Sequence, residues 1–125
     1  MKKPNEVTLL IVDDEADLVE VIADSFRQMG WNVLTASGGD EAFEVVRKNK
    51  VDIVLSDVRM PKGDGIGMLS NIRSEFPGVP VVFLMTGFSS VPTEELIKMG
   101  AHAVFSKPFN RDQVYSEVSK AVGLK

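Results

Sequence analysis

The 125-residue sequence contains no cysteine and a single histidine, His102. The absence of cysteine excludes disulfide scaffolds, zinc sites with thiolate ligands and thiol catalysis. The apolar runs are too short to cross a bilayer, and no apolar signal core follows the basic start of the chain. We therefore expect a cytoplasmic protein that does not enter a membrane.

Positive charge is also scarce. The chain has 14 basic and 18 acidic side chains, which gives a formal net charge of −4. This balance argues against direct nucleic-acid binding by this segment, because a phosphate backbone requires a basic surface. With 44% hydrophobic and 26% charged residues, the composition predicts one soluble globular domain over residues 1–125, with an ordered core over about residues 7–123.

Five mostly apolar segments are each followed by a predicted helix. The segments are Thr8–Val12, Trp31–Ala36, Val51–Asp57, Val79–Met85 and Ala101–Ser106. Strands that alternate with helices predict a parallel sheet covered by helices on both faces, a three-layer α/β domain. The mixed polarity of the second segment favours an edge position.

Short polar side chains predict where three of the helices begin. We expect Asp14 or Asp17 to cap the first helix, Ser37 the second and Asp64 the third. Pro92 should confine the fourth helix to residues 93–99.

Polar side chains stand where four of the five strands end: Asp13 and Asp14 after the first, Asp57 at the third, Thr86 at the fourth and Lys107 at the fifth. In a parallel sheet these carboxyl ends lie on one edge, which is where ligands bind in α/β proteins. Taken singly, the acids could be helix caps or turn residues, and the lysine could be an ordinary exposed one. Their joint placement after separate apolar strands favours a site.

Three carboxylates packed together repel one another unless a cation neutralises them. Oxygen ligands without cysteine or histidine favour a hard ion, Mg²⁺ above all. Lys107 would supply a point charge for a phosphate oxygen, and Thr86 a hydroxyl donor. Phosphoryl transfer requires such a set of groups, and Asp57 would be the nucleophile that forms an aspartyl phosphate.

The same residues resemble the motifs of a known family, the CheY-like receiver domains of two-component response regulators. The matching motifs cover nearly the whole chain in the family's order: Val12-Asp13-Asp14-Glu15, Ser56-Asp57-Val58-Arg59-Met60-Pro61 with Gly63-Asp64-Gly65, Met85-Thr86-Gly87, and Ser106-Lys107-Pro108-Phe109. The resemblance implies a flavodoxin-like, doubly wound (βα)5 sheet with strand order 2-1-3-4-5. It also implies a cis peptide bond between Lys107 and Pro108.

The resemblance further implies the roles of the site residues. Asp57 would receive phosphate from a sensor histidine kinase or a phosphotransfer protein. Asp14, Asp57 and the backbone carbonyl of Arg59 would bind Mg²⁺ directly, and Asp13 through water. Lys107 would pair with the phosphoryl group, while Thr86 would move toward it and report phosphorylation to a downstream effector or a covalent output domain. We expect a monomer or a weak dimer.

One position departs from the family pattern. Receivers carry Tyr or Phe three residues before the lysine, as the partner of the threonine, whereas this chain has Val104. Strand alternation directs the neighbouring Phe105 to the opposite face, so a receiver-like module with weak or non-standard output is an alternative. We also hypothesise that Arg59 and Phe88, each two residues past a site residue, limit water access to the aspartyl phosphate.

Two other classes of protein share either the chemistry or the fold. A phosphatase of the haloacid-dehalogenase type also needs an aspartate nucleophile and Mg²⁺, but begins with Asp-x-Asp on its first strand, whereas Asp13 and Asp14 are adjacent here. A flavin-binding carrier would need a Ser- and Thr-rich phosphate loop where this chain has acids. The sequence leaves open whether the chain is a stand-alone regulator or part of a hybrid kinase or multidomain regulator.

Overall fold

The computed structural model describes residues 3–60, 63–87, 92–106 and 110–123. Five strands alternate with five α-helices after a short 3₁₀ helix, Pro4–Glu6. The strands are β1 (Thr8–Val12), β2 (Asn32–Ala36), β3 (Ile53–Asp57), β4 (Val81–Thr86) and β5 (Ala101–Ser106). The helices are α1 (Ala16–Gln28), α2 (Gly39–Lys48), α3 (Gly65–Glu75), α4 (Thr93–Lys98) and α5 (Arg111–Ala121).

All strand pairs are parallel, and the sheet order is β2-β1-β3-β4-β5. The expected (βα)5 flavodoxin-like architecture is therefore confirmed, including the edge position of β2. Val12 pairs with Ser56, and Asp57 pairs with Met85. This register places the carboxyl ends of β1, β3 and β4 side by side at one edge of the sheet.

Two hydrophobic cores lie on opposite faces of the sheet because alternate strand residues point to opposite sides. Leu9 and Ile11 of β1 pack in the core beneath α1 and α5, whereas Leu10 and Val12 pack in the core beneath α2, α3 and α4. All five residues of β3 are buried. The central strand is therefore covered on both faces, as is usual in a parallel sheet.

Two of the three predicted helix caps are wrong. Helix α1 has Glu15 at its N-cap position without a side-chain cap, so neither Asp14 nor Asp17 caps it. Helix α2 has Gly38 at that position instead of Ser37. Only Asp64 behaves as predicted: its Oδ1 accepts a hydrogen bond of 2.7 Å from the N–H of Gly67 at the start of α3.

Candidate functional site

Three acidic side chains meet at the carboxyl edge of the sheet. Asp13, Asp14 and Asp57 each offer a carboxylate oxygen, and these three atoms lie within 4.8 Å of one another. Asp13 is 1% exposed and Asp57 8% exposed, whereas Asp14 is open to solvent. The structure thus brings together the acids that the sequence predicts, with an accessible side formed by Asp14.

Asp57 is held in place by the backbone around it. The N–H of Val58 donates to Asp57 Oδ1 over 2.8 Å, and Ser56 Oγ donates to the Asp57 carbonyl over 2.8 Å. The N–H of Gly65 in turn donates to the Val58 carbonyl over 2.8 Å. The side chain of Asp57 is therefore oriented by the loop that follows β3.

Asp13 is fixed in a similar way. Its Oδ1 accepts a 3.0 Å hydrogen bond from the N–H of Glu15, and its own N–H donates to the carbonyl of Ala36 over 3.2 Å. The Glu15 N–H at the start of α1 is thus already bonded to Asp13, two residues earlier. The acid that bonds the start of this helix is therefore Asp13, and not Asp14 or Asp17 as the sequence predicts.

Thr86 brings a hydroxyl to the same edge. It ends β4, one residue beyond Met85, the pairing partner of Asp57. Its Oγ1 is buried and has no hydrogen-bond partner among the described residues. Buried polar atoms normally find a partner, so this hydroxyl is suited to bond a group that enters the site.

Several residues that the sequence assigns to the site are not described. Lys107, with its expected cis bond to Pro108, and Phe88 lie outside the described residues. Arg59 is described, and its side chain is exposed. The cis peptide bond found within the described residues joins Val79 and Pro80.

The donor set fits a hard divalent cation. Three carboxylates in one small space need positive charge nearby, and they present only oxygen ligands, which magnesium prefers. The partly open arrangement also matches the preference of Mg²⁺ for one or two carboxylates together with waters. The acidic cluster that the sequence predicts is present in the structure.

Sequence reasoning identified Gly63 and Gly65 as turn residues but missed the contact of this turn with Gly39. A β-carbon on Gly65 would collide with the Asp57 carbonyl, and one on Gly39 would lie 2.8 Å from the carbonyls of Gly63 and Asp64. The Gly63-Asp64-Gly65 motif hints at a tight turn. The contact with Gly39, however, joins this turn to the start of α2, which is distant in sequence, so no local pattern predicts it.

The sequence matches a known protein family. Residues 9–119 match the family described as response regulator receiver domain. The chain belongs to this family, whose members are signalling switches of two-component systems rather than classical enzymes.

Two curated relatives illustrate the family. Over 119 residues, 94% of this chain, the sequence is 37% identical to the transcriptional regulatory protein ZraR of Escherichia coli. It is 35% identical to the probable transcriptional regulatory protein TcrX of Mycobacterium tuberculosis over 86% of the chain. The matched region spans 27% of ZraR and 46% of TcrX.

A solved structure shows the same fold. The CheX–CheY–BeF3–Mg²⁺ complex from Borrelia burgdorferi contains a chain that is 29% identical, with a TM-score of 0.85 over 99% of this chain and all of the other.

Within the described residues, no helix is both long and apolar enough to cross a membrane.

Proposed function

We propose that Asp57 accepts a phosphoryl group from a phosphorylated histidine on a sensor kinase or a phosphotransfer protein. The observation that carries this proposal is the convergence of Asp13, Asp14 and Asp57 within 4.8 Å at the sheet edge. Thr86, whose buried hydroxyl has no hydrogen-bond partner among the described residues, ends the neighbouring strand. An oriented carboxylate beside a cation site and a hydroxyl donor is the arrangement that phosphoryl transfer needs.

The transfer is a single displacement at phosphorus. A carboxylate oxygen of Asp57 forms the new O–P bond while the N–P bond to the donor histidine breaks, and the electron pair of that bond stays on the histidine nitrogen. The Val58 N–H holds Asp57 Oδ1, so the carboxylate needs little reorientation before it attacks.

The acidic cluster, Asp57 included, suits a magnesium site. Asp14, Asp57 and the Arg59 carbonyl would hold Mg²⁺, with Asp13 acting through water. When bound, the ion would supply positive charge to the phosphoryl oxygens. Asp13 is buried and held by the Glu15 N–H, which fits a residue that orients the site.

Two further residues would act on the phosphoryl group itself. The Thr86 hydroxyl, which has no partner among the described residues, would donate a hydrogen bond to one phosphoryl oxygen. We assign Lys107, on the basis of its sequence position, the role of pairing its ammonium group with another. The new bond to Thr86 would distinguish the phosphorylated state from the unphosphorylated one.

The phosphorylated state would change the binding of a partner in the cytoplasm. Residues 1–125 would form one receiver module, monomeric or weakly dimeric, that signals to a downstream effector or to an output domain on the same chain. The relatives ZraR and TcrX, which are longer than the matched region, are named as transcriptional regulators. Their names support a role in regulation without identifying the output of this chain.

Acetyl phosphate provides a direct test. The protein is incubated with acetyl phosphate and Mg²⁺, and its intact mass is measured. We expect the wild type to gain the mass of one phosphoryl group, and Asp57→Asn to gain none. Asp24→Asn, on the exposed face of α1, is the matched control and should behave as the wild type. An equal gain in Asp57→Asn would contradict the assignment, and turnover of p-nitrophenyl phosphate would instead indicate a phosphatase.

A further inference from the structure

Gly63, which follows Arg59 in the segment between β3 and α3, contacts the start of helix α2. The N–H of Gly39, the first residue of α2, donates a 2.7 Å hydrogen bond to the carbonyl of Gly63. The first N–H groups of a helix have no partner within the helix, so this bond satisfies one of them with a carbonyl from the site loop.

The two backbones meet too closely for a side chain at Gly39. An added β-carbon would lie 2.8 Å from the carbonyl oxygens of both Gly63 and Asp64, and 3.1 Å from the Gly63 carbonyl carbon. All three neighbours are backbone atoms, so relief requires the loop or the helix start to move. Gly39 itself is buried.

Gly63 is constrained from the opposite direction. Its φ is +86°, a conformation that L side chains rarely adopt. A β-carbon there would lie 2.7 Å from Asp40 Oδ1 and 2.9 Å from the Asp40 backbone nitrogen. The contact between α2 and the loop therefore depends on glycine in both partners.

The other end of the loop is fixed at Asp57. The Gly65 N–H donates to the Val58 carbonyl over 2.8 Å, and the Val58 N–H donates to Asp57 Oδ1. Arg59 lies between these two attachments, one at Asp57 and one at Gly39. The start of α2, which makes the second of these contacts, contains no proposed metal ligand.

We propose that Gly39 is a positioning residue for the magnesium site, acting through Gly63 on the loop that presents the Arg59 carbonyl. This inference rests on the proposed function, since it requires Mg²⁺ at the site. Loss of the close approach would shift the loop and weaken Mg²⁺ binding while Asp13, Asp14 and Asp57 stay in place. Residues that orient a metal's ligands typically contribute about 10-fold or more to affinity.

The test compares Gly39→Ala with Gly78→Ala. An added β-carbon at Gly78 meets nothing within 4 Å, so this variant controls for the loss of a glycine. Mg²⁺ affinity is measured by calorimetric titration, and stability by urea unfolding without metal. We expect Gly39→Ala to weaken Mg²⁺ binding about 10-fold and Gly78→Ala to bind like the wild type. A purely structural role would lower stability and leave the affinity unchanged, which would overturn the proposal.

A measurement on the wild type covers the case in which Gly39→Ala does not fold. Coupling between two sites is reciprocal, so Mg²⁺ should slow hydrogen exchange of the Gly39 amide. The Gln113 amide, bonded to Asn110 Oδ1 at the start of α5, is the control and should not change. Unchanged exchange at Gly39 in Mg²⁺-bound protein would refute the coupling alone, whereas a wild type that binds no Mg²⁺ would refute the proposed function as well.

Discussion

Phe105 stacks on Phe83 on the face of the sheet that α1 and α5 cover. Their ring centroids are 5.6 Å apart, the ring planes differ by 8°, and Phe105 is 7% exposed. Val104 lies on the other face, paired with Leu84. By strand alternation Thr86 shares the face of Leu84 and Val104. Phe105, the aromatic residue next to Val104 in β5, thus packs in the core on the opposite face of the sheet from Thr86.

This arrangement predicts that Phe105 contributes to stability without reporting phosphorylation. Phe105→Leu should lower the free energy of unfolding by about 1–2 kcal/mol, because it leaves a gap and removes the stacked pair. The loss should be the same with and without beryllofluoride, a mimic of the acyl phosphate. Urea unfolding in both states measures it.

A loss that differs between the two states would show that Phe105 takes part in switching. Val104→Ala is the matched variant on the opposite face of the same strand. It too should destabilise the protein by removing packed methyl groups. If β5 transmits the signal from Thr86, the effect of Val104→Ala should depend on beryllofluoride.

The Thr86 hydroxyl should matter only in the phosphorylated state. Because Oγ1 is buried without a partner among the described residues, Thr86→Val removes an unsatisfied polar atom and keeps the side-chain shape. We expect the unphosphorylated variant to be as stable as the wild type, or more stable by up to about 1 kcal/mol. Beryllofluoride should stabilise it less than it stabilises the wild type. A large loss of stability without beryllofluoride would mean that the hydroxyl already has a bonding partner.

Magnesium should stabilise the fold through the acidic cluster. A ligand that binds only the folded state adds about 2.7 kcal/mol at 100 times its Kd. Asp14→Asn should greatly reduce this gain. Because Asp14 is exposed, the substitution should leave the metal-free stability nearly unchanged. Thermal unfolding with Mg²⁺ and with EDTA measures both quantities. An undiminished gain in Asp14→Asn would place the ion elsewhere.

We expect the stability of the fold to depend on Arg73, the basic residue of α3. Its guanidinium donates to the carbonyls of Gly100 (3.1 Å), Phe76 (3.1 Å) and Pro80 (2.7 Å), and so joins the end of α3 to the starts of β4 and β5. Burial lowers the pKa of Arg73, yet arginine remains charged at neutral pH. Arg73→Met should cost about 2–4 kcal/mol of unfolding free energy, because it leaves these carbonyls without their donor.

Arg47→Met is the matched control for Arg73→Met. Arg47 makes ion pairs with Glu44 at 3.2 Å and Glu75 at 3.5 Å, but all three side chains are about half exposed. Exposed pairs contribute little, and the contact of Arg47 with the Phe43 ring adds little more. This control should lose no more than about 1 kcal/mol. Equal losses in the two variants would show that the bonds of Arg73 to the backbone are not what stabilises the fold.

The strands and the acidic site were predictable because their signals are local. The bounds of β1 and β5 agree with the apolar segments, and the acids at the ends of β1 and β3 follow those segments directly. Once the sheet is parallel, these ends must lie on one edge. The convergence of Asp13, Asp14 and Asp57 therefore needed only the strand pattern and the topology.

The starts of α1 and α2 and the glycine contacts were not predictable in the same way. Asp13 bonds the N–H at the start of α1, so the local preference of Asp14 or Asp17 for a cap had no effect. The approach of Gly39 to Gly63 and the bond from Arg73 to the Gly100 carbonyl join segments far apart in sequence. Such contacts follow from the assembled fold and leave no periodic pattern in the chain.

The central claim is that Asp57 is the phosphoacceptor, and chemical trapping tests it most directly. Borohydride reduces an acyl phosphate to an alcohol, so it converts a phosphorylated aspartate into homoserine. Protein treated with acetyl phosphate and Mg²⁺ is reduced, digested and analysed by peptide mass spectrometry. The account predicts homoserine at position 57 and unmodified aspartate at positions 13 and 14. Homoserine at another position, with Asp57 intact, would contradict it.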